Sequence, residues 1–179
     1  MICLLDVNAL PALGFHEHEF HGRVARWVAA LGGEITLATC PITELGFVRI
    51  LSQVPQYRIT IEQARTLLAR LKSSRARRLT FIADSHGAER LPRWVKTGRQ
   101  TTDGHLCALA AANAATLTTL DGGSAAAFVI PESWFHGNLC APKDKGLIIG
   151  FMGGHLVRSC LASVFPLCFA LRDLKTPSE

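Results

Sequence analysis

Residues 2–8 read Ile2-Cys3-Leu4-Leu5-Asp6-Val7-Asn8, a short apolar run that ends abruptly in a carboxylate. A continuous apolar run of this length is typical of a strand buried on both faces, as the central strands of parallel α/β sheets are. Asp6 would then lie at the carboxyl end of that strand. In open parallel sheets the active crevice forms at that edge, so this position favours a chemical role for Asp6.

Working outward, strand-like and helix-like segments alternate as far as residue 132. Residues rich in β-branched and apolar side chains predict four further strands, at 35–39, 79–83, 115–120 and 127–130, with the last one short and at an edge. Helical spacing and capping signals predict helices between them, for example after the capping box Thr60–Gln63. The alternation predicts an α/β domain over residues 1–132, with a central, mostly parallel sheet between helical layers.

The composition sets the broad class of protein. The 179 residues are enough for one domain with a real core, and the six cysteines are scattered with no C-x-x-C pair, which favours reduced core thiols over disulfides or zinc. The start of the chain does not resemble a signal peptide, so we expect a cytoplasmic protein.

Residues 133–179 form an apolar extension beyond the predicted domain. Its two apolar runs, 147–152 and 161–171, are separated by His155 and Arg158, and neither alone is long enough to span a membrane. A single span across both is disfavoured because Arg158 would lie near its middle. The extension contains no chemical motif and no recognised domain, and its structure and role stay open.

Three later acids fall at strand or helix boundaries as Asp6 does: Glu44, Asp103 and Asp121. Parallel strands bring such positions to one edge, where neighbouring carboxylates repel and raise one another's pKa. One or two Mg²⁺ or Mn²⁺ ions would remove that cost, since these ions prefer carboxylate oxygens and water. Bound there, they could activate a water against a phosphodiester. Three further residues are candidates for orienting these acids without binding the metal themselves: Asn8, Thr102 and Thr119.

Positive charge is concentrated between residues 70 and 99, away from the four acids. The formal net charge of the chain is +5, and basic flanks around an acidic centre suit a polyanion held over metal ions. A solvated basic face with no ligand is an equally plain explanation of the clustering alone.

Four motifs stand together in order: Leu4-Leu5-Asp6-Val7-Asn8, Thr43-Glu44-Leu45, Thr101-Thr102-Asp103-Gly104-His105-Leu106 and Thr116-Leu117-Thr118-Thr119-Leu120-Asp121. Over residues 1–132 the chain thereby resembles PIN-domain nucleases, in particular the VapC-like ribonuclease toxins of type II toxin–antitoxin pairs. The resemblance implies a PIN-like three-layer α/β/α fold, Mg²⁺- or Mn²⁺-dependent endoribonuclease activity, a homodimer, and a cognate antitoxin that blocks the cleft. It makes Asp6, Glu44, Asp103 and Asp121 the catalytic and metal-binding residues.

RNA would then lie along the basic segment. The candidate RNA contacts there are Arg75, Arg77, Arg78 and Arg93, with Trp94 able to stack on a base. The three histidines His16, His18 and His21 lack the spacing of a usual zinc site and are interpreted as part of a loop that leads into a helix. His105 lies two residues past Asp103 on a helix, points elsewhere, and is given a structural role.

Two other functions remain open at this point. Asp6 could be the nucleophile of a phosphatase of the haloacid dehalogenase type, although Asn8 stands where that class has its second Asp. The chain could also be a catalytically silent RNA- or protein-binding module that keeps the fold. A strand-ending Asp is often only a helix cap or a turn former, and Asp121, before Gly122-Gly123, is the most turn-like of the four.

Overall fold

The computed structural model describes residues 1–74, 77–122 and 126–132. In this part of the chain five strands form one sheet in the order β3-β2-β1-β4-β5, and every neighbouring pair is parallel. The strands are β1 Ile2–Leu5, β2 Thr36–Thr39, β3 Leu79–Phe81, β4 Ala115–Thr119 and β5 Phe128–Val129. The apolar run at the start of the chain is therefore the central strand, as its lack of alternation predicts.

The strand register aligns the ends of β1, β2 and β4. Leu4 is paired with Ala38 on one side and with Leu117 on the other. Residues that follow these three strands consequently emerge at the same edge of the sheet. We call it the carboxyl edge.

Five α-helices connect and cover the strands in the described residues: α1 Ala9–Gly14, α2 His21–Ala30, α3 Pro41–Gln53, α4 Ile61–Ser73 and α5 Thr101–Ala112. Short 3-10 helices lie at Pro55–Tyr57, Ala88–Arg90 and Gly98–Gln100. The predicted capping box is present at α4: the Thr60 N–H donates to Gln63 Oε1 (2.8 Å) and the Gln63 N–H to Thr60 Oγ1 (3.2 Å).

The core lies on both faces of the sheet. Leu5 belongs to one cluster, with Trp27 and Phe47 from the helices between β1 and β3, whereas its neighbour Leu4 belongs to the other, with Leu106 and Leu109 of α5. Successive strand residues point to opposite faces, so this division places the sheet between two helical layers. The predicted three-layer α/β/α arrangement, similar to a PIN domain, is confirmed.

Some predicted boundaries differ from the structure. The third strand ends at Phe81 rather than at residue 83. In the loop after it, Asp84 Oδ1 accepts the backbone N–H of His86 (3.0 Å), so a short polar side chain satisfies the local backbone there. The extension at 133–179 lies outside the described residues. Within the described part, no helix has the length and apolarity needed to cross a membrane.

Candidate active site

Asp6 is the most buried acid of the carboxyl edge, with only 3% of its surface exposed. Its Oδ1 accepts the backbone N–H groups of Asn8 (2.9 Å) and Ala9 (2.6 Å), which caps the start of α1. Its Oδ2 accepts a hydrogen bond from the hydroxyl of Thr119. These contacts fix the carboxylate in one orientation. The helix-cap interpretation of Asp6 is therefore correct, and it is compatible with a site because carboxylate oxygens have further lone pairs.

Burial and charge both act on Asp6. Desolvation raises the pKa of its carboxyl, the hydrogen bonds from Thr119, Ala9 and Asn8 oppose that rise, and the nearby negative charge of Asp103 adds to it. The net direction is upward. A carboxylate held this way is costly to ionise without a cation beside it.

Asp103 lies in the first turn of α5 and is partly buried. Desolvation raises its pKa, and the negative charge of Asp121 raises it further. The charge of Asp103 acts on Asp6, and the charge of Asp121 acts on Asp103. Three aspartates that are far apart in the sequence thus lie at the carboxyl edge within electrostatic range of a neighbour.

Thr119, at the end of β4, connects two of these acids. Its hydroxyl donates to Asp6 and accepts the backbone N–H of Asp121 (3.0 Å). Asp121 itself is exposed. Thr119 therefore orients the Asp6 carboxylate and the backbone at Asp121. Asn8 contributes its backbone N–H to Asp6, and Thr102 is exposed in the first turn of α5.

Glu44 reaches the same edge from the first turn of α3. Its Oε1 accepts hydrogen bonds from the Thr39 hydroxyl (2.7 Å), at the end of β2, and from the Lys72 ammonium (2.6 Å) of α4. Gly46 lets α3 approach the segment after β1 closely, because a Cβ at this position would lie 2.9 Å from Cγ1 of Val7. Glu44 is therefore held at this edge by a cation of the protein itself.

The donor set at this edge suits a hard divalent cation. The side chains are carboxylates, and two of them have raised pKa values for which mutual repulsion is one cause. Within the described residues, however, no three His, Cys, Asp or Glu side chains are already close enough to hold an ion together.

Arg77 does not lie where the predicted RNA surface requires it. It precedes β3, so it is at the amino edge of the sheet, opposite the acids. Its guanidinium donates to four backbone carbonyls at and after the end of α2, those of Val28 (3.1 Å), Leu31 (2.9 Å), Gly32 (3.3 Å) and Ile35 (3.4 Å). Arg77 therefore ties the end of α2 to the segment that leads into β2, which is a helix-terminating role.

The other proposed RNA contacts divide in the same way. Arg78 is exposed but also directly precedes β3, and Arg75 lies outside the described residues. Arg93 and Trp94 are in the segment that leads from β3 to α5, on the side of the carboxyl edge, where Arg93 is exposed and Trp94 is 37% exposed. Of the candidate RNA contacts within the described residues, Arg93 and Trp94 lie on the side of the acids, whereas Arg77 and Arg78 lie at the opposite edge.

The histidines have structural contacts. His105 Nε2 lies 2.7 Å from Asp84 Oδ2, which ties α5 to the loop after β3. His21 Nδ1 lies 2.9 Å from the carbonyl oxygen of Ala12, and His18 Nδ1 accepts the N–H of Phe20 (3.2 Å). Desolvation lowers the pKa of both His18 and His21.

Sequence reasoning missed two residues of this site, Thr39 and Lys72. Thr39 has a signal that could have been read, because it ends a strand just as Thr119 does. Lys72 has none: a lysine in the last turn of a helix is ordinarily explained by the helix dipole. Its contact with Glu44 joins residues 28 positions apart and depends on how α3 and α4 pack.

Comparisons with known proteins agree with the fold and identify the family. No protein-family model matches the sequence. Ribonuclease VapC38 of Mycobacterium tuberculosis is 39% identical over 126 residues, covering 68% of this chain and 86% of the relative. Ribonuclease VapC39 of the same species is 37% identical over 132 residues, covering 70% of this chain and 92% of the relative.

A solved structure supports the architecture. The crystal structure of Mycobacterium tuberculosis VapC20, described as a toxin that cleaves the sarcin-ricin loop, matches with a TM-score of 0.52 at 19% identity and covers 72% of this chain and 98% of that one. At this identity the match bears on the fold alone. Identity to VapC38 and VapC39 over most of their length, together with this fold, shows that the chain belongs to the VapC ribonuclease family.

Proposed function

We propose that this protein is a metal-dependent endoribonuclease and the toxin of a VapBC-type toxin–antitoxin pair. The observation that carries the proposal is the position of Asp6, Asp103 and Asp121 at the carboxyl edge, where burial first and a neighbouring aspartate second raise the pKa of Asp6 and of Asp103. Such an arrangement is unfavourable unless a cation offsets it. Membership of a family of named ribonucleases supports RNA as the substrate.

Each acid has a distinct part in the proposed mechanism. Asp6 is the fixed ligand, since both of its oxygens are oriented by hydrogen bonds. Asp103 and Asp121 are the other two metal ligands. Glu44 is the fourth acid at this edge, and it forms an ion pair with Lys72. A bound Mg²⁺ or Mn²⁺ would supply Lewis acidity, which activates water and offsets charge on the attacked phosphate.

The substrate path follows from the position of the remaining groups. Arg93 and the indole of Trp94 lie in the exposed segment that precedes α5, close in sequence to Asp103. These two side chains suit a single-stranded RNA. The Arg93 guanidinium would pair with a phosphate, and a base would stack on the Trp94 indole. Thr119 and Asn8 keep Asp6 in place behind the substrate.

The phosphatase alternative is less well supported. A nucleophilic carboxylate needs a free oxygen and room for in-line attack, whereas Asp6 is 3% exposed and has hydrogen bonds at both oxygens. We further propose a homodimer, a cognate antitoxin that covers the carboxyl edge, and action in the cytoplasm, where the RNA substrates of such a toxin are found.

Metal removal tests the proposed activity. We expect the purified protein to cleave total cellular RNA with Mg²⁺ or Mn²⁺, and to lose that cleavage in EDTA with recovery when the ion is added back. Fragment lengths on a denaturing gel give the measurement. Cleavage that persists in EDTA would contradict metal dependence, and RNA binding without cleavage would favour the catalytically silent module.

A further inference from the structure

The segment before α5 places two exposed side chains at the corner of a tight turn. The Val95 N–H donates to the carbonyl of Pro92 (3.0 Å), so Arg93 and Trp94 are the two central residues of the turn. Both are exposed, whereas Pro92 and Val95 are half-buried. The Pro92–Val95 turn therefore presents a guanidinium and an indole to solvent.

Both ends of this turn pack against Gly104, the residue that follows Asp103 in α5. A Cβ added at Gly104 would lie 2.3 Å from Cγ2 of Val95 and 3.5 Å from Cδ of Pro92. The first of these distances is shorter than any van der Waals contact. The turn can lie this close to the backbone beside Asp103 only because Gly104 has no side chain.

A second contact attaches the same connection to α5. Asp84, in the loop after β3, has hydrogen-bond partners at both carboxylate oxygens. Its Oδ1 accepts the backbone N–H of His86 (3.0 Å), and its Oδ2 lies 2.7 Å from Nε2 of His105. His105 follows Gly104 directly, so the loop and the turn are attached to adjacent residues of one helix. We call these two contacts, at Gly104 and between Asp84 and His105, the α5 clamp.

The two sides of the α5 clamp differ in how firmly the protein core holds them. On the helix side, Gly104 is buried and the next core residues of α5, Leu106 and Leu109, are fully buried. On the other side the turn is only half-buried, and its corner is exposed. A side chain added at Gly104 would consequently push the turn outward rather than displace the helix.

We propose that the α5 clamp positions the Pro92–Val95 turn as one side of the RNA site, at a fixed distance from Asp103. A nucleotide that binds Arg93 and Trp94 is thereby placed beside that acid. The inference rests on the proposed nuclease function. The members of the clamp are positioning residues: they do not touch RNA, and they act through the two side chains at the corner of the turn.

Gly104→Ala tests the proposal by steady-state cleavage of a defined single-stranded RNA with Mg²⁺. We expect KM to rise about tenfold, the scale of one weakened base stack, with kcat nearly unchanged. Adding Val95→Ala removes the atom that the new Cβ meets and should return KM toward the wild-type value. Gly98→Ala is the matched control, because a Cβ at Gly98, in the same connection, meets nothing within 4 Å.

Two further comparisons do not depend on Gly104→Ala folding. His105→Leu loses the hydrogen bond to Asp84 and should raise KM, whereas His105→Gln keeps an N–H donor of similar reach and should retain the wild-type KM. Trp94→Ala should raise KM by itself. Combined with Trp94→Ala, the His105→Leu change should raise KM by a smaller factor than it does alone, because the side chain through which it acts is gone. Equal factors would overturn the proposal.

RNA affinity in EDTA, measured by fluorescence anisotropy, separates this proposal from the one on which it rests. Cleavage by the wild type, with KM unchanged in Gly104→Ala and His105→Leu, would overturn the α5 clamp and leave the nuclease standing. A loss of kcat at unchanged KM would overturn it too, since the contacts would then act on Asp103 alone. RNA binding without cleavage by the wild type, with Kd raised in both variants, would remove the nuclease and support the clamp. Neither binding nor cleavage by the wild type would overturn both.

Discussion

Asp103→Asn is expected to lower the rate of RNA cleavage about a hundredfold to a thousandfold, the scale of losing one group that stabilises charge in a transition state. The substitution keeps the shape of the side chain and removes its charge. The charge of Asp103 acts on Asp6 and is itself close enough to Asp121 to be influenced by it, so its removal relieves repulsion with both neighbours. Initial rates on a defined single-stranded RNA with saturating Mg²⁺ give the measurement.

Loss of activity in this variant should not come from unfolding. Burial and neighbouring charge raise the pKa of Asp103 in the folded protein, so the folded state holds its proton more tightly than the unfolded state does. The metal-free wild type therefore loses stability as pH rises from the ordinary carboxylate pKa through the raised value, and the loss remains above it. Asp103→Asn removes this penalty and should be at least as stable near neutral pH.

The matched control for Asp103 is Glu62→Gln. Glu62 is an exposed acid in the first turn of α4, outside the site, and its substitution should leave the cleavage rate unchanged. Wild-type activity in Asp103→Asn would remove this residue from the mechanism, whatever the behaviour of the control.

Arg77→Met is expected to destabilise the protein by about 2–4 kcal/mol, because a charged donor to several backbone carbonyls is lost. In a chain of this size that corresponds to a fall in melting temperature of about 4–16 °C. The reason is structural: the guanidinium hydrogen-bonds to four carbonyls at and after the end of α2. Thermal unfolding followed by circular dichroism measures the effect.

Arg78→Met separates this role from RNA binding. Arg78 is the exposed neighbour of Arg77 and has the same charge, so its loss should change the melting temperature by no more than about 1–2 °C, as surface substitutions usually do. If Arg77→Met melts like Arg78→Met but binds RNA more weakly than the wild type, Arg77 is an RNA contact rather than a helix-terminating residue.

The fold was predictable because its signals are local and repeated. The apolar run before Asp6 indicates a strand buried on both faces, and the structure places it at the centre of the sheet. The capping box at Thr60 marks the start of α4 to the residue. Strand ends were less predictable: β3 is an edge strand that ends at Phe81, although the next residue, Ile82, is buried and donates its N–H to the carbonyl of Thr39 (2.8 Å).

The meeting of the aspartates could be predicted for a different reason. In a parallel sheet, residues that follow neighbouring strands share an edge whatever their distance in the sequence, so Asp6 and Asp121 were expected to converge. The contacts of Lys72 and Arg77 follow no such rule. Each joins a long, flexible side chain to a distant segment, and only the packing of the helices determines which partner it meets.

The central claim is that Asp6, Asp103 and Asp121 share a divalent cation. Anomalous diffraction from crystals soaked in Mn²⁺ tests it most directly, because the anomalous signal locates the ion without any assumption about activity. We predict a strong peak within coordination distance of carboxylate oxygens from all three aspartates, about 2.1 Å from each. A peak elsewhere on the protein, or no peak at a saturating concentration of Mn²⁺, would contradict the account.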